Sequence, residues 1–597
     1  MHKSEASVNG AEAGSPVQEE QILALVGSQA PEDVRAAAAD ALITTDVQLD
    51  RRMILPTVAL TFTYLAQQMI LITYGSILGY INADVGPFKT YTWMAASWSM
   101  ACAIFLPIAG PLGDILGRRY FFIAGNTIGI IAGIVAATAQ SVQVVVVGTT
   151  LSGMAAAFQQ LAIAAASEIY PNKYRGFVQA LLENVPMAFN AAGSLIAHRL
   201  VETRNWRYVF YIYVIFCGCA MIFTALFYHP PLPHKEQTRL QLAKNIDWIG
   251  AGIWMAGLTS FLLGISWAGG QFAWKSVAVI LPMILGVLLL VGLGFWEVLV
   301  SKSSKNPIFP PHIFKNVRGF TNLLVTVTIL SMPLYAMASV WPAEIGAIFT
   351  SDPIKIGVYG LPWGIGSSFG SLMTGLLLHY VPRVNWLFTA LVALQAIFIS
   401  LLATITPSSI KPALAFSFLG GAANLGAQLT GIVMVQFSTG DRNIGLATGL
   451  LACARSVGGA IAVSIYNTIV QSRMQIEWPK RLAEATLPLG LPESSLPLLL
   501  GALASGNQTA IASVPGVDPE ILAAAAEATR YSFAASFRVV FYLVAGLGSL
   551  AVVLAATTRD ISQFMTRHVA VDLNKGKHPR IADKAAGQVE HVEGKES

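Results

Sequence analysis

Gly113-Asp114-Ile115-Leu116-Gly117-Arg118-Arg119 is a short, charged, glycine-bearing turn between two apolar runs, 91–112 and 120–138. One Asp and two Arg between two membrane-length segments do not belong in a hydrophobic core. They place the turn at a membrane surface, where charged loop residues sit. A turn this tight makes the flanking helices antiparallel neighbours.

The rest of the chain agrees. Of 597 residues, 54% are hydrophobic and only 12% are charged, against about 25% charged in a soluble protein. Mean hydropathy is +0.60. A deficit spread over most of the length excludes a soluble enzyme and indicates an all-α protein that crosses the membrane many times, with the lipid bilayer as its main partner. The net charge of +5 requires no nucleic acid. Cys102, Cys217, Cys219 and Cys453 fall inside apolar runs without zinc-site spacing or a disulfide framework, so they read as packing residues. Nine acidic side chains in the first fifty residues leave no signal-peptide core, so the first span is expected to direct its own insertion.

Residues 1–50 read as a cytoplasmic tail, mostly disordered. A hydrocarbon layer of about 30 Å takes roughly 20 residues of helix. That ruler gives spans at 57–79, 92–112, 120–139, 144–166, 177–198, 208–228, 248–267, 277–298, 320–341, 357–378, 386–405, 412–435, 445–469 and 538–557, fourteen transmembrane helices in all. With the N-terminus inside, the cytoplasmic loops hold fifteen Lys and Arg and the opposite short loops hold seven. This bias puts both termini in the cytoplasm, as an even count requires. The stretch 471–537 then lies outside, with the glycosylation acceptor Asn507-Gln508-Thr509 in it. Within it, Asp518-Pro519-Glu520 reads as a helix start.

A weak internal repeat supports two halves. Gly110 precedes Arg118 by eight residues at the end of one span, and Gly375 precedes Arg383 by the same interval at the end of another. If spans 1–6 match spans 9–14, the chain is two six-helix bundles, 51–228 and 320–558. Residues 229–319 then carry linkers and an inserted helix pair, spans 7 and 8, and residues 559–597 form a second cytoplasmic tail.

Gly113-Asp-Ile-Leu-Gly-Arg-Arg119 resembles the signature loop between the second and third helices of the major facilitator superfamily. Fourteen spans resemble its drug:proton antiporter branch. Ile81-Asn-Ala-Asp-Val-Gly86, Glu168-Ile-Tyr-Pro-Asn-Lys-Tyr-Arg175, Arg204-Asn-Trp-Arg-Tyr-Val-Phe-Tyr211 and Tyr531-Ser-Phe-Ala-Ala-Ser-Phe-Arg538 look like the fungal trichothecene efflux pump family, which includes siderophore–iron transporters. The resemblance covers about residues 50–565 and implies a secondary transporter in the plasma membrane or, alternatively, the vacuolar membrane. Two features depart from the antiporter pattern. Thr149 stands four residues before Gly153, where that group carries Arg, and the fifth span lacks its Gly-Pro and paired-glycine motif.

Candidate site residues follow from where polar groups fall. Gly113, Asp114, Gly117, Arg118 and Arg119, echoed by Arg383, read as a conformational latch, with Glu168 as a partner for Lys173 or Arg175. Glu183 lies about seven residues into its span. A carboxylate there must face the interior, where it is a candidate proton carrier, with Asn184 and Asn190 continuing a polar stripe. Arg455 is the basic residue in the middle of the second bundle, placed to hold a Glu or an anionic solute. Gln67, Gln160, Asn424 and Gln428 are candidate solute contacts or interhelical ties. Asn424 and Gln428 share a helix face at i, i+4. Pro333, Pro342 and Pro362, with Tyr335, Trp341, Tyr359 and Trp363, mark spans 9 and 10 as possible gates for a bulky, partly apolar solute. No metal, nucleotide or nucleophile motif is present, so no metal, cofactor, ATP or enzymatic activity is expected. The expectation is a monomeric secondary transporter exporting a small secondary metabolite or toxin against protons. Siderophore–iron uptake by proton symport is the alternative.

Overall fold

The computed structural model describes residues 53–86, 93–171, 174–230, 246–268, 272–300, 307–350, 352–378, 380–439, 444–505, 511 and 513–562. Among them the protein is helical throughout, apart from one isolated bridge between Ala268 and Phe272. Hydrocarbon offers no hydrogen bonds, so each crossing segment must satisfy its own backbone, which a helix does.

In chain order the helices are α1 (Ile54–Gly75), α2 (Leu78–Val85), α3 (Trp93–Leu116), α4 (Arg118–Ala137), α5 (Val142–Gln160), α6 (Ala162–Ile169), α7 (Arg175–Asn184), α8 (Met187–Thr203) and α9 (Arg207–Phe227). Then come α10 (Trp248–Trp267), α11 (Val277–Val300), α12 (Pro311–Lys315), α13 (Asn322–Ile348), α14 (Pro353–Leu377) and α15 (Val384–Leu401). The last four are α16 (Ile410–Ser438), α17 (Ile444–Thr486), α18 (Leu496–Ser505) and α19 (Pro519–Ala556).

Twelve of the described helical segments are long and apolar enough to cross a membrane. Two of the expected spans differ from that description. The span at 177–198 is cut into α7 and α8 at Pro186, which cannot donate the next helical hydrogen bond. The span at 357–378 lies in the unbroken 25-residue α14, whose glycines and serines dilute its apolar character.

The stretch 471–537 reads as a loop in the sequence but is largely helical. Helix α17 runs for 43 residues, about 65 Å and twice the hydrocarbon thickness. It projects beyond the membrane at the end opposite Arg118. There Leu482, Leu491, Leu499, Val514 and Ile521 form a small core of their own. Helix α19 begins at Pro519 directly after Asp518, as the sequence implies, although the Asp518 side chain makes no capping bond. Asn507 lies outside the described residues.

Helices α1, α3, α4, α5 and α9 pack on one another, and α8 joins them through α1. Helices α13, α15, α16, α17 and α19 make a second group, with α14 packed on α16. The two groups meet along two seams, α3 against α17 and α7–α8 against α14. Helices α10 and α11 pack on each other, and α10 rests on α3 and α17. The α11 window is only 17% buried, against 78% for α16. Leu281, Leu288, Phe295 and Leu299 of α11 face outward, so this pair presents its apolar surface to lipid while α16 lies at the centre.

Small residues let helices approach closely in lipid. The α14–α16 contact is the tightest example: a Cβ at Gly370 would run into the carbonyl of Ala422. Gly370→Ala is therefore expected to destabilise the protein by at least about 1–3 kcal/mol. Gly218→Ala in α9, where nothing lies within 4 Å, should be neutral or slightly stabilising. Thermal unfolding of the two purified variants checks this, and equal behaviour would contradict the packing described.

Candidate functional site

Helix α7 carries Gln179 and Glu183 one turn apart, on one face. Both are buried, Gln179 completely and Glu183 to 4% exposure, and that face looks across the seam to the second group. Ser371 of α14 donates a hydrogen bond to Glu183 Oε2 at 3.3 Å. Glu183 Oε1 has no partner. The nearest charge of opposite sign is Arg455 of α17, whose field reaches Glu183, Tyr64 of α1 and Tyr335 of α13. Among the described residues Arg455 makes no direct ion pair. Its backbone carbonyl accepts from Ser331 at 3.0 Å. The first group thus contributes a carboxylate and a tyrosine to this centre, and the second a cation, a serine and a tyrosine.

One turn from Glu183 toward the Arg118 end, the seam is closed by amides. Gln179 donates to Ser167 of α6 at 2.6 Å and to Gln436 of α16 at 2.8 Å, and Gln436 donates to Thr448 of α17 at 3.0 Å. Arg175 is buried with its guanidinium 5.1 Å from the Phe437 ring centroid. Alongside, Gly110 of α3 faces Gly445 and Leu446, and Gly375 of α14 faces Gly176 and Ala180. Arg175, Gln179 and Gln436 are each at most 1% exposed at this level. Gln179 and Gln436 were not singled out from the sequence. The i, i+4 spacing of Gln179 and Glu183 was a readable signal for the first of them.

The charged turn lies just beyond. Gly117 has φ +83, a conformation costly for any residue with a Cβ, and this sharp reversal starts α4 directly after α3. Gly113 is less demanding, since a Cβ there would make ordinary contact with Phe121 at 3.5 Å. The Asp114 side chain lies outside the described residues. Arg118 pairs with Glu168 of α6 at 2.5 Å. Of the partners expected for Glu168, Lys173 lies outside the described residues, and the Arg175 guanidinium lies over the Phe437 ring. Arg119 donates to the carbonyl of Ala225 at 2.6 Å, near the end of α9, where a cation suits the helix dipole. Arg383, the expected echo, is exposed at the start of α15, and its side chain caps nothing there.

The remaining candidates are mostly helix ties. Gln67 donates to Gln160 at 2.6 Å, joining α1 to α5. Asn424 and Gln395 both donate to the carbonyl of Leu330, beside the kink-prone Pro333, and Gln428 donates to Asn424. Asn184 bonds back to Ala180 of its own helix, so the polar stripe does not extend through it. The Asn190 side chain lies outside the described residues. At the opposite end Trp206 and Arg207 donate to Asp84 at 2.8 and 2.9 Å and hold its carboxyl below the usual carboxylate range. Two stretches that resemble family motifs, 81–86 and 204–211, therefore touch each other. So do 113–119 and 168–175.

A family model described as the fungal trichothecene efflux pump (TRI12) matches residues 17–591, which include every helix above. The trichothecene efflux pump TRI12 of Fusarium sporotrichioides is 28% identical over 537 residues, covering 88% of this chain and 89% of its own. The MFS-type transporter prx5 of Penicillium rubens is 27% identical, covering 81% and 87%. Multidrug resistance protein 3 of Bacillus subtilis is 23% identical, covering 66% and 74%. The likeness extends over both groups of helices rather than a single motif.

Arg118 and Glu168 are both largely buried, so removing one takes a close opposite charge from the other. Arg118→Gln is expected to cost about 3–5 kcal/mol, and adding Glu168→Gln should recover part of that loss. Thermal unfolding of the single and double variants decides it: additive losses would show that the two side chains do not act as a pair.

Proposed function

The chain belongs to the fungal trichothecene efflux pump family, and on that premise we propose that it exports a small, largely apolar secondary metabolite or toxin in exchange for protons. It is a membrane transporter of small molecules. The finer reading adds fourteen spans, with the broken α7–α8 and the glycine-rich α14 completing the twelve long apolar helices. These form two six-helix bundles and an inserted pair, α10–α11. Both termini lie in the cytoplasm of a plasma-membrane protein, so the Arg118 end faces the cytoplasm.

The observation that carries the reading is Glu183. It is a buried carboxylate on the first bundle, hydrogen-bonded to Ser371 of the second and within the field of Arg455. Such a group has two stable conditions: ionised beside the cation, or protonated and neutral. The first draws the two bundles together; the second releases Arg455 and Ser371 for a solute. If the bundles rock so that Glu183 meets the outside in one state and the cytoplasm in the other, each cycle carries a proton inward and a solute outward.

The arrangement described above is closed toward the cytoplasm by Gln179, Gln436, Gly110 and Gly375. Gly113, Asp114, Gly117, Arg118 and Arg119 form the latch that holds this closure, the Arg118–Glu168 pair fixing the turn to α6. The aromatic side chains Tyr64 and Tyr335 suit a bulky apolar solute. Siderophore uptake draws no support from the family description or from the relatives named above.

Reconstitution into liposomes with an imposed proton gradient tests the proposal. Wild type should move apolar metabolites of the trichothecene type down the coupled gradient. Glu183→Gln should lose gradient-driven flux while still exchanging solute for solute. Full gradient-driven flux in Glu183→Gln, or none in wild type with any such compound, would overturn it.

A further inference from the structure

A pair of buried carboxylates lies away from the seam, at the Arg118 end of the α10–α11 pair. Asp247 stands immediately before α10 and is 1% exposed; Glu297, in the last turn of α11, is 2% exposed. The two close over Gly250, where a Cβ would meet the Asp247 carboxylate and lie 3.3 Å from Glu297 Oε1. Their hydrogen bonds can be followed atom by atom. Asp247 Oδ1 accepts from the backbone N–H of Gly250 at 3.0 Å, and Oδ2 from Trp296 Nε1 at 2.7 Å. Glu297 Oε1 accepts from the backbone N–H of Phe309 at 3.2 Å. Glu297 Oε2 is buried and has no partner.

No cation balances the pair among the described residues. The charged group whose field reaches Glu297 is Asp247. On α3, the facing residues are Ile104 and Ile108. Helix α17 meets α10 through Val457, Ala460 and Thr468. His312 and Lys315 of α12 are exposed at the surface. Two like charges buried side by side do not both stay ionised. A metal ion would need about six oxygen ligands, and three of the four oxygens here already accept N–H groups. A proton needs only the one that is free.

We propose that Asp247 and Glu297 hold a single proton between them, seated on Glu297 Oε2, and that this proton fastens the α10–α11 pair to α3. Both Asp247 oxygens already accept N–H groups, which leaves Glu297 Oε2 as the seat. With Glu297 neutral, its other oxygen holds the backbone at Phe309. Phe309 in turn packs against Trp254, with ring centroids 4.8 Å apart and the planes tilted by 52°, and Trp254 donates to the carbonyl of Ile104 in α3 at 3.0 Å. Loss of the proton sets two carboxylates against each other at the joint that anchors this chain of contacts. The site is separate from Glu183 and does not depend on what the protein carries.

The test uses purified full-length protein in lipid nanodiscs, titrated from about pH 5 to about pH 9. Infrared difference spectra of wild type should contain a protonated-carboxyl C=O band that disappears as pH rises. That band should be missing from Glu297→Gln and present in Glu183→Gln. Over the same range the indole emission of Trp296, obtained as wild type minus Trp296→Phe, should shift, since its hydrogen-bond acceptor is Asp247. An unchanged carboxyl band in Glu297→Gln overturns the assignment. Should Glu297→Gln fail to fold, the Trp296 difference emission decides alone: a pH-dependent shift supports the shared proton, and a flat response overturns it.

Discussion

A carboxylate held in a water-poor seam between two groups of helices is the constraint on which the rest of this structure depends. Glu183 is affordable there only because both sides contribute: its own helix supplies the burial, while Ser371 and Arg455 supply a donor and a field from across the seam. Any change in the charge of that one group alters the attraction between the two halves. Position and charge are therefore linked at one group, which is what the proposed coupling requires.

Around this centre the polar residues divide by task. Some tie helices within one group, as Gln67 does to Gln160 and Asn424 to the Leu330 carbonyl. Others cross the seam, above all Gln179 to Gln436. Bonds of the first kind persist when two bodies rock; bonds of the second kind must break. The ends are fixed in a similar way. Arg118–Glu168 and Arg119–Ala225 bind the charged turn to its own group, and Asp84 with Trp206 and Arg207 does the same at the other end. The first group is thus stiffened at both ends.

The sequence reveals helices well and partners poorly, and the reason is physical. Hydrocarbon thickness imposes a length on every span, so an apolar run near 20 residues is legible without any alignment. Pro186 shows the limit: the run 177–198 is continuous in hydropathy, but a residue without an N–H breaks it in space. The stretch 471–537 misleads in the opposite direction. It is polar enough to read as loop, yet α17 continues through it because Leu482 and Ile521 find a core beyond the membrane. For side chains, a 3.6-residue period says which face a polar group occupies but not what waits opposite. Glu183 was legible as a buried acid, whereas Ser371, 188 residues away, was not. Glu168 holds Arg118, a guanidinium from a turn fifty residues earlier, and no local spacing announces that contact.

Rocking of the two bundles about Glu183 is most directly tested by a distance across the closed end. Tyr120 at the start of α4 and Trp386 at the start of α15 are both exposed there, one on each side, and accept spin labels without disturbing the seam. Pulsed electron–electron resonance in nanodiscs should give two distance populations in wild type, with the balance moving as pH is changed. In a Glu183→Gln background a single population should remain at every pH. One unmoving distance in wild type, or an undiminished pH response without Glu183, would contradict the assignment of this carboxylate as the group that couples charge to movement.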